Sequence, residues 1–154
     1  AGLPQAVGVA PDPALRIDSV VTPGDCATFG AIVTGGFGLP PAFAEWLEAL
    51  PGREGWLCLL ARIDGEPAAA AALYAREEVG WLGLGATLAA LRGRGGQSAL
   101  LRARAEVACA SGVVALFTET GERVPDRPSA SYRNILRAGF AEEYLRLNLV
   151  APAP

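Results

Sequence analysis

Between Arg92 and Ser98 the chain reads Arg-Gly-Arg-Gly-Gly-Gln-Ser, and residues of these types at this spacing suit the holding of an anion. Gly93, Gly95 and Gly96 let a backbone approach a ligand closely. The Ala/Leu-rich stretch from Gln97 to Ser111 predicts a helix opening out of this turn, whose first amides are free and carry the positive end of the helix dipole. A phosphate set on those amides is held by backbone donors, with Arg92 and Arg94 adding charge. The ligand class is therefore a phosphorylated or pyrophosphorylated small molecule. A dinucleotide fingerprint is a poorer match, because Ser98 stands where its last glycine belongs, and Gly83-Leu84-Gly85 lies inside an apparent strand without a third glycine. RNA-binding Arg-Gly-Gly segments are repeated and disordered, whereas this one occurs once between a strand and a helix. A plain glycine-rich connection with solvated arginines is the remaining alternative.

What the chain lacks narrows the chemistry further. It contains no histidine, and all 13 of its basic residues are arginine. That removes the Ser-His-Asp triad, the Cys-His pair and the imidazole general base, and with lysine absent also the Walker A loop and the Schiff base. Cys26, Cys58 and Cys109 are too widely spaced for a Cys-x-x-Cys metal or redox site, so no metal is expected and buried thiols are. Catalysis must rest on carboxylates, hydroxyls, Tyr, Arg and backbone groups, or on reactivity brought by a cofactor. A net charge of -3 argues against a nucleic-acid partner. Apolar runs such as Pro67 to Tyr74 are much shorter than the ~20 residues of a membrane span, and no signal-peptide pattern is present. A cytoplasmic protein with no membrane partner is expected. Ala1, in place of Met, leads us to expect processing or a piece of a longer chain.

The elements that must position the glycine turn follow from apolar periodicity and turn chemistry. The chain to residue 14 is rich in Pro and Gly and reads as a lead-in, with one domain from 15 to 154. Ile17 to Thr22 predicts a strand ended by Pro23-Gly24. Asp25 is the expected cap of a helix running to about Val33 and broken by Gly35, Gly36 and Gly38. Pro41 suits the first turn of a second helix bearing Phe43, Trp46, Leu47 and Leu50, stopped by Pro51-Gly52. Trp56 to Ile63 and Ala68 to Ala75, joined by Asp64-Gly65, predict a hairpin. Val79 to Leu88 is a third strand that feeds the turn, and its Gly83 and Gly85 mark a bulge. After the helix come a strand at Val113 to Thr118, a polar loop to Pro128, a short helix capped by Ser129 or Ser131 and ending at Gly139, and a last strand at Phe140 to Val150. The order β-α-α-β-β-β-α-β-α-β is that of a mixed α/β sheet domain.

The turn from Arg92 to Gln97 resembles the acyl-CoA-binding signature of the GNAT N-acetyltransferase superfamily, Gln/Arg-x-x-Gly-x-Gly/Ala. Arg92 and Gly95 match it, and Gln97 stands where Gly or Ala is usual. Ser131 to Phe140, with Asn134, Arg137, Gly139 and Phe140, resembles the late helix and Gly-Phe ending of the same superfamily, and the element order agrees from Ile17 to Val150. The resemblance implies a GNAT-like fold, an acetyl-CoA or related acyl-CoA cofactor, and acyl transfer to a primary amine on a small molecule or peptide. It implies that the strand before the turn splays from its neighbour and takes the pantetheine arm on the backbone of Ala86, Thr87 and Leu88. The amides of Arg92, Gly93, Arg94, Gly95, Gly96, Gln97 and Ser98 would hold the pyrophosphate, and Ser131 and Asn134 would meet the arm. Similar chains also form the C-terminal half of tandem-domain proteins, so a homodimer or a missing N-terminal domain is a further expectation. A non-catalytic acyl-CoA-binding or regulatory domain is the alternative function.

Acyl transfer from a thioester needs a proton taken from the amine, a donor for the developing oxyanion and stabilisation of the leaving thiolate. Glu119 is the candidate base, since it lies where the Val113 to Thr118 strand ends, near the acetyl position the resemblance implies. Glu122 and Asp126 are weaker candidates. Many members of the superfamily carry an acidic tyrosine four residues before the late-helix glycine, but Ile135 occupies that position here. Tyr132, one turn earlier, is the candidate acid. Phe37, Phe43 and Trp46 belong either to the core or to one wall of the acceptor site.

Overall fold

The computed structural model describes residues 12–121 and 129–147. The strands are β1 (Leu15–Ser19), β2 (Trp56–Ile63), β3 (Glu66–Arg76), β4 (Val79–Thr87) and β5 (Ala115–Thr118), and the helices are α1 (Pro23–Phe37), α2 (Phe43–Glu48), α3 (Gly96–Ala110) and α4 (Ala130–Arg137). They form a five-stranded mixed sheet in sequential order. Neighbours run antiparallel through β4, and β5 pairs parallel to β4 because α3 carries the chain back across the sheet. The mixed α/β class expected from the sequence is the one formed.

Local chemistry sets most boundaries. Asp64 and Gly65 take φ of 54° and 84°, the positive values that an Asp-Gly hairpin requires. Thr22, not Asp25, caps α1: its hydroxyl oxygen accepts from the Asp25 amide at 3.1 Å, leaving Asp25 to pair with Arg62 of β2 at 2.7 Å. The helix continues through Gly35 and Gly36 to a left-handed Gly38 at φ 64°. Gly36 does not break it because its missing side chain lets α1 lie directly on β4; a Cβ there would stand 2.5 Å from the Ala86 Cβ.

Strand alternation divides the core into two layers. Cys58, Leu60, Ala70, Ala72 and Ala86 pack against Phe29, Ile32, Val33 and Leu47 of α1 and α2. On the other face Leu59, Ala61, Ala69 and Ala71 meet Leu100 of α3, while Leu73 and Leu82 meet Leu101, Ala108 and Ile135. The alanine run of β3 is buried throughout, so helices on both faces approach the sheet closely.

One further expectation fails, and an open one is decided. Phe140 to Leu147 forms no strand, and residues 148–150 lie outside the described part. Tyr144, Leu145 and Leu147 are exposed, and apolar alternation without a ladder partner does not hold a strand. Phe37, Phe43 and Trp46 are also exposed rather than core residues.

Candidate active site

The site begins where β4 and β5 part. Their pairing runs only from Val79 and Ala115 to Leu82 and Thr118, and the Thr118 hydroxyl closes the last rung by donating to the Leu82 carbonyl at 2.8 Å. Immediately beyond it, Ala72 pairs with Gly83 and Ala70 with Ala86, so Leu84 and Gly85 together oppose Ala71. This is the expected bulge, with Leu84 rather than a glycine at φ 53°. From Gly83 to Thr87, β4 pairs with β3 alone among the described residues, and its other edge is open. The Leu88 amide donates to the Ala68 carbonyl at 2.9 Å, which sets the phase of the ladder. Ala86 and Leu88 direct their backbone polar groups into β3, and Thr87 turns its own to the open edge.

That edge leads through a 3-10 turn at Ala89–Leu91 into the glycine turn. Gly93 and Gly95 take φ of 82° and 84°, and Gly95 caps α3 with no side-chain bond. Ala99 donates to the Gly95 carbonyl, but none of the amides from Gly93 to Ser98 has a partner among the described residues. Converging free amides at the positive end of a 15-residue helix form an anion cradle. Gly96 is buried because α3 starts against Ala69 and Ala61.

The two arginines of the turn differ. Arg94 is engaged by Asp12 at 2.6 Å and Asp64 at 3.5 Å, so it ties the lead-in and the hairpin to the turn rather than facing a ligand. The Asp12 carboxyl is held below its ordinary value by the Ala14 amide first and by Arg94 second. The Arg92 side chain is exposed and pairs with no described residue, which leaves its charge open to solvent beside the cradle.

Gln97 joins the first turn of α3 to α4. Its amide nitrogen donates to the Ser131 hydroxyl at 2.9 Å, and its oxygen accepts from Asn134 at 2.8 Å. Ser131 and Asn134 are thus brought to the helix start, as members of one network. Tyr132 is turned elsewhere: its hydroxyl donates to Glu142 at 2.8 Å. Ile135 is a core residue packed with Leu101 and Leu82.

Glu119 follows the last paired residue of β5 and stands at the mouth of the open edge. Its Oε1 accepts from the Trp81 indole at 3.2 Å, and its Oε2 pairs with Arg146. Trp81, whose ring lies over Gly83, meets Trp56 edge-on at 6.2 Å, and Trp56 packs on Tyr74 at 5.1 Å. Glu119 therefore sits on the sheet face of α1 and α2, while the Gln97 network sits on the face of α3 and α4. Glu122 and Asp126 lie outside the described residues. A groove of about 270 Å³ at the start of α2 is lined by Ala42, Phe43 and Trp46, and no residue of the turn or open edge lines it. Burial pushes the Cys58 thiol up to about 12 and leaves it unreactive.

No protein-family model and no curated protein matches the sequence. Solved structures do match. A proposed acetyltransferase from Agrobacterium tumefaciens superposes with a TM-score of 0.73 at 20% identity, over 88% of this chain and 99% of that one. A ribosomal-protein-alanine N-acetyltransferase from Brucella melitensis gives 0.69 at 19%, over 90% and 100%. AAC(6')-Iy in complex with the bisubstrate analog CoA-S-monomethyl-acetylneamine gives 0.72 at 16%, over 90% and 99%. This chain has the GNAT acetyltransferase fold.

Within the GNAT fold the open β4 edge and the glycine turn are the features that the sequence resemblance led us to expect. Asp12, Trp81, Glu142 and Arg146 were not anticipated. Asp12 falls in a Pro-rich lead-in with no local signal and reaches Arg94 82 residues away, and the others act through partners 10 to 38 residues away.

Proposed function

We propose that this chain is an acyl-CoA-dependent N-acyltransferase, moving an acetyl or related acyl group to a primary amine. The observation that carries the reading is the continuity of the open β4 edge with the unpaired amides of Gly93 to Ser98. An extended arm needs an unpartnered strand edge and a pyrophosphate needs converging donors, and the residues present fit both demands. Thr87 offers backbone groups to the arm, the amides from Gly93 to Ser98 with Arg92 hold the phosphates, and the Gln97, Ser131 and Asn134 network borders them.

When bound, acetyl-CoA supplies an acyl group already activated as a thioester, so the protein has mainly to align it with the amine. Glu119 takes the proton from the acceptor ammonium, directly or through a water, and exchanges its Arg146 partner for the substrate cation. Trp81 holds the carboxylate in place. Tyr132 is the candidate donor to the leaving sulfur once its hydroxyl releases Glu142. We place the domain at 15 to 154, with Asp12 of the lead-in docked on Arg94, in the cytoplasm; a homodimer or a missing N-terminal domain is part of the same reading.

AAC(6')-Iy holds a CoA bisubstrate analog, and a metagenomic aminoglycoside acetyltransferase with sisomicin has a TM-score of 0.68 to this chain. The first supports a CoA-type ligand here, and both support a small amine acceptor. A non-catalytic acyl-CoA-binding domain is the second reading, favoured by the commitment of Tyr132 to Glu142 and by Ile135. Incubation with acetyl-CoA and a panel of amines, followed by release of free thiol, tests the proposal. Acceptor-dependent thiol release supports the enzyme. Binding of acetyl-CoA without turnover on any amine supports the second reading, and no binding contradicts both.

A further inference from the structure

Arg104, on the sheet-facing side of α3, is 2% exposed, and no described carboxylate pairs with it. A buried cation without a counter-charge is costly, and an apolar side chain would serve the core better. Burial pulls the guanidinium down to about 10, which still leaves it charged at neutral pH. Its Nε donates along the helix to the Leu100 carbonyl at 2.9 Å. Its Nη1 leaves the helix and donates to two carbonyls of different strands, Ala72 at 2.7 Å and Gly83 at 3.0 Å. Ala72 and Gly83 are cross-strand partners, and theirs is the last regular rung before Leu84 and Gly85 swell out of the ladder.

The placement explains why a charge is retained. A carbonyl oxygen has two lone pairs, so a donor rising from α3 can bind both strands beneath the sheet without displacing ladder bonds. A single nitrogen shared by β3 and β4 fixes their separation at the point where the extra residue would otherwise let them slide. On the other side of the same point, the Thr118 hydroxyl holds β4 to β5 at Leu82. The bulge is therefore pinned from both neighbours, and the open edge begins directly after the pins.

We propose that Arg104 is a positioning residue for the acyl-CoA site, clipping β3 to β4 at the Ala72–Gly83 rung so that the bulge and the open edge from Gly83 to Thr87 keep the shape that receives the pantetheine arm. Its functional half rests on the acyl-CoA reading above; the clip itself does not. Arg104 touches neither reacting atoms nor phosphates.

The test uses the full chain with Arg104→Met, which fills the volume without donors, and Arg104→Lys, which keeps the charge but gathers its donors on a single nitrogen. Amide hydrogen exchange reads the edge directly. Acetyl-CoA and adenosine 3′,5′-bisphosphate, the nucleotide end without the arm, read the site. In Arg104→Met, the amides of Ala86 and Leu88, which β4 turns into β3, exchange about tenfold faster or more, while those of β1 and β2 keep their rates; acetyl-CoA binds about tenfold more weakly and the bisphosphate within about twofold of wild type. Arg104→Lys recovers part of both losses. If Arg104→Met does not fold, the same two readouts on Arg104→Lys decide, with a smaller acceleration confined to the edge as the expected result. Edge exchange within about twofold of wild type in a folded variant overturns the proposal, as does equal weakening of acetyl-CoA and the bisphosphate. Wild-type protein that binds neither ligand sinks the acyl-CoA reading, and edge exchange in the variants then still decides the clip.

Discussion

Arg92 and Arg94 sit two positions apart on one turn, yet their surroundings give them different work. Arg92 faces solvent beside the free amides, whereas Arg94 is spent on Asp12 and Asp64. Arg92→Ala is therefore expected to weaken acetyl-CoA by about tenfold, the worth of one charge-assisted phosphate contact, and Arg94→Ala by clearly less; calorimetric titration separates them. The Arg94 pairing shows instead in stability and in its pH dependence. The folded Asp12 carboxyl titrates below its ordinary 3.8, so its contribution is present above that pH and lost as the pH falls through the folded value. Asp12→Asn should melt below wild type at pH 7, with the gap closing under acid conditions below pH 3.8. A gap that is constant or widens on acidification would assign Asp12 no ionic role. Gln97, read from the sequence as a departure from Gly or Ala, turns out to anchor Ser131 and Asn134. Gln97→Ala is expected to cost about 1–2 kcal/mol in denaturant melts through the loss of those bonds. An unchanged midpoint would show the network to be dispensable.

Among the elements, the turn and the bulge carry the proposed function, and both depend on backbone conformations that few residues adopt. Gly95 at φ 84° lies in the left-handed region, where a Cβ is strained, and Gly95→Ala is expected to cost about 1–2 kcal/mol in stability while also weakening acetyl-CoA. Gly36 is constrained by space instead. A Cβ there would meet the Ala86 Cβ at 2.5 Å, so Gly36→Ala should push α1 off β4 and cost about 1–3 kcal/mol despite the better helix propensity of alanine. A stabilised Gly36→Ala protein would contradict that packing. The Asp-Gly hairpin, the glycine turn and the bulge near Gly83 were legible in the sequence because each is a local demand on φ written in residue type. The continuation of α1 through Gly35 and Gly36 was not, because the reason is a contact with Ala86 some 50 residues away. The expected last strand failed for the converse reason, since alternation at Tyr144 to Leu147 says nothing about whether a neighbouring strand is there to pair.

Across the whole molecule, two apolar layers hold one sheet, and the site lies where that sheet comes apart. Phe29, Leu47 and Leu60 are among the largest fully buried side chains of the α1 and α2 layer. Leu60→Ala should cost about 2–5 kcal/mol and lower the melting temperature without selectively changing ligand affinity in the remaining folded protein. The division of the site between the two layers was invisible to sequence reading. Glu119 falls on the α1 and α2 face and the Gln97 network on the α3 and α4 face, which only strand parity and the bulge together determine. In the proposed function this arrangement separates an acceptor side from a phosphate side across one open edge. Amide hydrogen exchange of the wild-type chain with and without saturating acetyl-CoA tests it most directly. Protection is expected to concentrate at Gly93 to Ser98 and along Gly83 to Thr87, with α1 and α2 unchanged. Protection elsewhere, or none at millimolar acetyl-CoA, would contradict it.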